Sequence, residues 1–169
     1  MAQKFSLYGN LTVRENLEFF GGAYGLRGQT LRERVDAALA QFSLEPKANS
    51  GQLPGGYKQR LAMAAGLLHE PDILFLDEPT SGIDPLARRA FWRTITSLAQ
   101  GGVTIVVTTH FMEEAEYCDR IAIQDAGRVL ALGPPQQVRQ QGGRGHMGDM
   151  NSAFIAIVEQ ARLAGEVPR

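Results

Sequence analysis

Cysteine is nearly absent: Cys118 is the only one in 169 residues. An internal disulfide framework is therefore excluded, and a reducing compartment suits the chain. Neither sign of charge is in excess. The net charge of −1 offers no basic surface of the kind nucleic acid requires, so no nucleic-acid partner is expected. No apolar run approaches the roughly 18 residues of a membrane span. No cationic stretch followed by an apolar one opens the sequence, so a signal peptide is not expected. No fixed-period repeat occurs. The phosphate-binding pattern G-x-x-x-x-G-K-[ST] is also missing throughout. Gly51 to Lys58 comes near it, but Lys58 follows Gly56 by two positions instead of one. Gly143 to Gly148 matches G-x-G-x-x-G, yet no strand precedes it and no tight strand–helix unit holds it.

What is present suits one globular domain with a core. Apolar residues make up 44% and charged ones 21%, both ordinary for such a chain. Thr12 and Glu15 form a capping box, and Val13, Leu17, Phe20 and Tyr24 then recur at helical spacing. Thr30 and Glu33 predict a second capping box, opening a helix to about Phe42. After a polar loop, Gly55-Gly56 lead into a helix over 57–69. Residues 72–76 are short, apolar and bounded by Pro71, which predicts a buried strand. Pro85 opens a helix to about Gln100, stopped by Gly101-Gly102. Residues 103–108 are β-branched and predict a second buried strand. A short helix over 111–117, a hairpin around Asp125-Ala126-Gly127, a Gly-rich linker over 140–148 and an amphipathic helix over 151–163 complete the reading.

Two apolar strands separated by a helix form a βαβ unit with a parallel sheet. Ligands of such sheets sit at the carboxyl ends of the strands. The first strand ends there in Asp77-Glu78, the second in Thr109-His110. Two successive acids at a strand tip suit a magnesium–nucleotide site, one holding the metal and the other polarising water. Acids that cap the following turn would explain the same pair. His110 could reach a γ-phosphate, or simply end a strand. Gly55-Gly56 ahead of a helix offer free N–H groups to an anion, or supply the backbone freedom of a helix start. His69 suits a helix end, and His146 lies in the Gly-rich linker.

In chain order, Gln3, Leu53-Pro54-Gly55-Gly56-Tyr57-Lys58-Gln59-Arg60, Ile73 to Glu78, Ser81-Gly82-Ile83-Asp84 and His110 resemble the nucleotide-binding domain of ATP-binding cassette (ABC) transporters. The stretches TTHFMEEAEYCDRIAI and SAFIAIVE look most like the multidrug export branch. The resemblance implies an α/β fold: an incomplete P-loop NTPase-like parallel sheet flanked by helices, plus the ABC helical subdomain. It implies a helical subdomain and signature loop over about 10–70, an α/β core over 71–140, and a linker with C-terminal helix over 141–169. Asp77 would hold Mg²⁺ and Glu78 would be the general base. Gln3 would be the Q-loop glutamine, touching the metal or its water, and His110 the switch histidine. Leu53, Pro54, Gly55 and Gly56 would form the signature loop over ATP held by an opposing subunit. Ser81 and Asp84 would lie on the loop that crosses the dimer interface. The implied partners are a transmembrane permease subunit and a second nucleotide-binding domain. The implied location is cytoplasmic, at the inner face of the cell membrane.

Two departures from the family pattern follow. The family places its phosphate loop and adenine-stacking aromatic ahead of the Q-loop, and neither is found in these residues. Weak or absent ATP binding by this chain alone is therefore expected. Pro54 stands where the family usually has serine, and it has neither a hydroxyl nor an N–H for a phosphate. Tyr57 replaces the commonest glutamine. The expected activity is ATP hydrolysis driving export in a full-length dimer. The alternative is a non-catalytic module that docks on a membrane subunit.

Overall fold

The computed structural model describes residues 7–142 and 149–165. Gln3, His146 and the 143–148 glycine pattern lie outside them. The chain divides into two compact units, 1–108 and 109–169.

The first unit opens with α1 (Val13–Ala23), and the predicted capping box is present. Glu15 accepts the Thr12 N–H at 2.7 Å, and the Thr12 hydroxyl accepts the Glu15 N–H at 3.2 Å. These bonds to Thr12 hold the Glu15 carboxyl below its ordinary pKa. The second capping box does not form. Helix α2 (Gly28–Gln41) starts earlier, with Arg27 as an N-cap that makes no side-chain cap. Glu33 instead accepts from Gln29 one turn back, at 2.7 Å. Helix α3 runs Gly55–Leu67, so both glycines sit in its first turn instead of ahead of it. Pro54 is extended at φ −56° and ψ 153° and serves as N-cap.

Strand β1 (Ile73–Asp77) pairs in parallel with β2 (Thr104–Thr108), from Ile73 opposite Thr104 to Asp77 opposite Thr108. Helix α4 (Pro85–Gln100) connects them, as the βαβ reading predicts. The strands are not buried on both faces, however. Leu74 and Leu76 are buried, while Ile73 is 53% and Phe75 63% exposed. Among the described residues the sheet has two strands, and its continuous apolar run alternates exposed and buried.

The second unit opens with a 3₁₀ helix, Met112–Tyr117, where a short helix is expected. An antiparallel hairpin follows, β3 (Ile121–Asp125) with β4 (Arg128–Gly133). Ala126 and Gly127 turn it, both at positive φ (46° and 77°), the geometry that matches the strands' twist. Helix α5 (Pro135–Gln141) occupies residues that carried no predicted element and shortens the expected linker. Helix α6 (Met150–Leu163) packs Met150, Ile157 and Val158 onto Ile123, Ala131 and Val138.

A polar residue ties the start of the first unit together. Asn16 is fully buried. Its amide donates to the Tyr8 carbonyl at 3.1 Å, the Thr12 carbonyl at 2.9 Å and Ser50 Oγ at 3.1 Å. Its Oδ1 accepts the Tyr8 N–H at 2.9 Å. Asn16→Ala leaves the Tyr8 N–H without its acceptor, while the Tyr8 carbonyl keeps Ser50 Oγ and the Thr12 carbonyl keeps the backbone N–H of residue 16. It should cost about 1–3 kcal/mol per group left unsatisfied, read as a lower urea midpoint at unchanged m-value. The exposed β1 face generates a second expectation. Exposed strands and apolar patches seek cover, so the chain should self-associate at micromolar concentration and Phe75→Ser should weaken that association. Sedimentation at several concentrations checks it; a strictly monomeric wild-type chain contradicts it.

Candidate functional site

The first unit brings together Asp77, Glu78, Ser81, Asp84 and the 53–56 loop. Asp77 ends β1, and the parallel register sets it opposite Thr108. The Thr108 hydroxyl donates to Asp77 Oδ1 at 2.5 Å, the short range of a hydroxyl–carboxylate bond. The Glu78 N–H donates to the Thr108 carbonyl at 3.0 Å and to Thr108 Oγ1 at 3.1 Å. Glu78 has φ +42°, a left-handed conformation that a non-glycine residue adopts at some cost. The chain therefore leaves the strand direction at Glu78. Pro79 and Thr80 behind it are buried. The Ser81 N–H donates back to the Glu78 carbonyl at 3.1 Å, closing the turn.

Asp84 has a structural task. Its Oδ1 accepts the Leu86 N–H at 3.0 Å and the Ala87 N–H at 2.9 Å, capping α4, with Pro85 in the first turn. The α3 start is different, because its N-cap Pro54 has no side-chain acceptor. Gly55 and Gly56 lie against the loop that enters α4. A β-carbon on Gly55 would stand 3.6 Å from Ile83 Cγ2, and one on Gly56 would stand 3.3 Å from Ala87 Cβ. The close approach explains glycine at 56. Pro54 and Gly55 are exposed and Leu53 is half-buried. The Tyr57 ring, 43% exposed, lies beneath the Arg60 guanidinium at 5.1 Å.

His110 belongs to the second unit, where it is exposed and its ring stacks on Phe111 at 4.1 Å. Beside it Thr109 Oγ1 donates to Glu114 Oε2 at 2.6 Å and accepts the Phe111 N–H at 3.0 Å. Glu114 is buried. Burial first, then the nearby Asp119 and Glu114 charges, push the Cys118 thiol pKa up and disfavour its thiolate.

The residues present fit a hydrated divalent cation better than a closed metal cage. Among the described residues no group of three or more His, Cys, Asp or Glu could hold a metal ion. Mg²⁺ bound with a nucleotide needs only one or two carboxylates, the rest of its shell being phosphate oxygens and water. Asp77, exposed at the strand tip, meets that requirement.

A βαβ unit with acids at the carboxyl end of a parallel strand, next to a Gly-Gly helix start, defines a P-loop NTPase-like nucleotide-binding domain, here in part. A family profile described as ABC transporter matches residues 1–81. The probable multidrug ABC transporter ATP-binding protein YbhF of Escherichia coli K12 is 54% identical over 94% of this chain and 28% of its own length. The Nod factor export ATP-binding protein I of Ralstonia nicotianae is 45% identical over 76% of this chain and 41% of its own length. A solved structure of the ATP-binding subunit of an ABC transporter superposes with a TM-score of 0.77 at 29% identity, covering 93% of this chain and 66% of that one. The chain belongs to the ABC transporter ATP-binding domains. It spans less than half the length of these two curated relatives. Among the described residues no helix is long and apolar enough to cross a membrane.

Sequence reasoning named both acids but missed what holds them. Thr108 was legible only as the last residue of a β-branched run. The signal was its hydroxyl, following Val106 and Val107 and falling opposite Asp77 in a parallel register. Asp84→Ala tests the cap separately from any chemistry. It should lower stability by about 1 kcal/mol, measured by urea unfolding, whereas Asp84→Asn should retain most of it.

Proposed function

We propose that this chain is the metal- and water-handling part of an ATP-hydrolysing subunit of an export-type ABC transporter. The observation that carries the reading is the Asp77–Glu78 pair, fixed at the carboxyl end of β1 by bonds to Thr108. The names of the relatives, multidrug transport and Nod factor export, support the export direction.

Mg²⁺ with ATP supplies the positive charge that stabilises phosphoryl transfer. Asp77 would hold the metal through its carboxylate. Glu78 would take a proton from the attacking water as general base. His110 would orient that water or the γ-phosphate, and Gln3 would touch the metal or its water. Leu53, Pro54, Gly55 and Gly56 would face the phosphates of a nucleotide on a second such domain. The α3 N-terminus suits that task because Gly55 and Gly56 present backbone N–H groups and no side chain caps it. Ser81 and Asp84 would stand on the loop at that dimer interface, Asp84 shaping it through its cap on α4. The helical part, about residues 10–70, would meet a transmembrane permease subunit, placing the assembly at the inner face of the membrane. The α/β core would run over about 71–140, and the linker and last helix over 141–169.

A second reading is a non-catalytic module that docks on the membrane subunit. Pro54 favours it, since an N-cap without hydroxyl or N–H removes donors to the phosphate. One donor to an anion is worth about 1.5–3 kcal/mol.

Two measurements test these readings, and the second separates them. The 169-residue chain, without a phosphate-loop pattern in its sequence, should show no micromolar MgATP binding by calorimetry and no turnover above background. A chimera that adds an ABC-family phosphate-loop segment ahead of residue 1 should hydrolyse ATP. Glu78→Gln in that chimera should lower turnover by about 10²–10⁴-fold while ATP binding persists, the usual loss on removing a general base. Turnover close to that of the parent chimera would remove Glu78 from the mechanism. ATP binding without turnover in the parent favours the docking module.

A further inference from the structure

The Thr108 hydroxyl stands between both acids. It gives its hydrogen to Asp77 Oδ1 and takes the Glu78 N–H on the same oxygen. A hydroxyl has one hydrogen and two lone pairs, so a single atom can do both. We propose that Thr108 is the positioning residue of the site, orienting the metal-facing carboxylate and the backbone that aims the base from one oxygen. The proposal rests on the reading of Asp77 and Glu78 given above and extends it to a residue outside the motifs.

Three features support it. The register is fixed: all five β1–β2 pairs are in step, ending in Asp77 opposite Thr108, so the contact follows from the sheet and not from a loose loop. The bond engages Oδ1 of Asp77, which sets the carboxylate plane and leaves the second oxygen to face a cation. Partners of metal-binding carboxylates commonly act this way. Finally, Glu78 has left-handed φ of +42°. Such a residue persists only where its surroundings over-determine it. Its N–H is held twice by Thr108, through the carbonyl at 3.0 Å and through Oγ1 at 3.1 Å. Valine would preserve shape and strand preference at 108 and keep the carbonyl bond. It would lose the bond to Asp77 and the second hold on Glu78.

The test uses the 169-residue chain with Thr108→Val, Thr108→Ser and, as a control at the far end of the same strand, Thr104→Val. Amide exchange by nuclear magnetic resonance reads the backbone. Thr108→Val should speed exchange at the Glu78 amide about tenfold, since one of its two acceptors is gone. Thr108→Ser and Thr104→Val should stay near wild type. Mn²⁺ alone, titrated as a stand-in for Mg²⁺, reads the carboxylate by paramagnetic broadening at residues 76–79. Thr108→Val should weaken that binding by about tenfold, the low end for a lost partner of a metal-binding group, and Thr108→Ser should restore it. If Thr108→Val fails to fold, Thr108→Ala replaces it against the same serine rescue. Unchanged exchange and unchanged Mn²⁺ broadening in a folded variant overturn the proposal, as does a serine variant that behaves like valine. Asp77→Asn separates the two levels. If it leaves the broadening unchanged, the metal reading of Asp77 fails, while the exchange data still decide whether Thr108 holds the Glu78 backbone.

Discussion

The parallel pairing of β1 with β2 gives the Asp77 carboxylate a hydroxyl partner and the Glu78 backbone an anchor at the end of an apolar strand. The register puts Thr108 opposite Asp77. From that one placement follow the hydroxyl bond to Asp77, the double hold on the Glu78 N–H, and the sharp departure of the chain at φ +42°. The turn then delivers Ser81 and Asp84 to the mouth of α4, and Asp84 starts that helix. Helix α4 leads back to β2 and so to Thr108. Site and fold are one closed circuit of contacts.

The α3 start joins the same region by a different route. Gly55 and Gly56 are not ahead of the helix but in it, pressed against Ile83 and Ala87. A side chain at 56 would press on Ala87 in the first turn of α4, the helix the Ser81–Asp84 loop enters. The glycines therefore serve packing whether or not an anion ever meets their N–H groups. Both roles are compatible, because packing engages the β-carbon position and an anion would engage the backbone nitrogen.

Much of this was legible in the sequence. The Thr12 capping box, the α4 boundaries at Pro85 and Gln100, the parallel βαβ unit and the Ala126-Gly127 hairpin all follow from local chemistry. Local chemistry also misled. Thr30 and Glu33 read as a capping box, but Gln29 claims Glu33 and the helix starts at Gly28. The apolar runs at 72–76 and 103–108 read as buried strands, but burial depends on how many layers surround the sheet, and Phe75 faces outward. Helix α5 carries no predicted element, although Pro135 suits its first turn. Asn16 and Thr108 were hard to see for a common reason: each reaches a partner 30 or more residues away, Ser50 and Asp77, and a sequence shows periodicity but not register.

The central claim is that Asp77 presents its carboxylate to a nucleotide-bound metal. Pulsed electron paramagnetic resonance on Mn²⁺·ATP bound to the phosphate-loop chimera, with ¹³C-labelled aspartate carboxylates, tests it most directly. The account predicts a ¹³C coupling from one aspartate that disappears in Asp77→Asn. A coupling that survives that substitution, or none in the parent chimera with Mn²⁺·ATP bound, would contradict it.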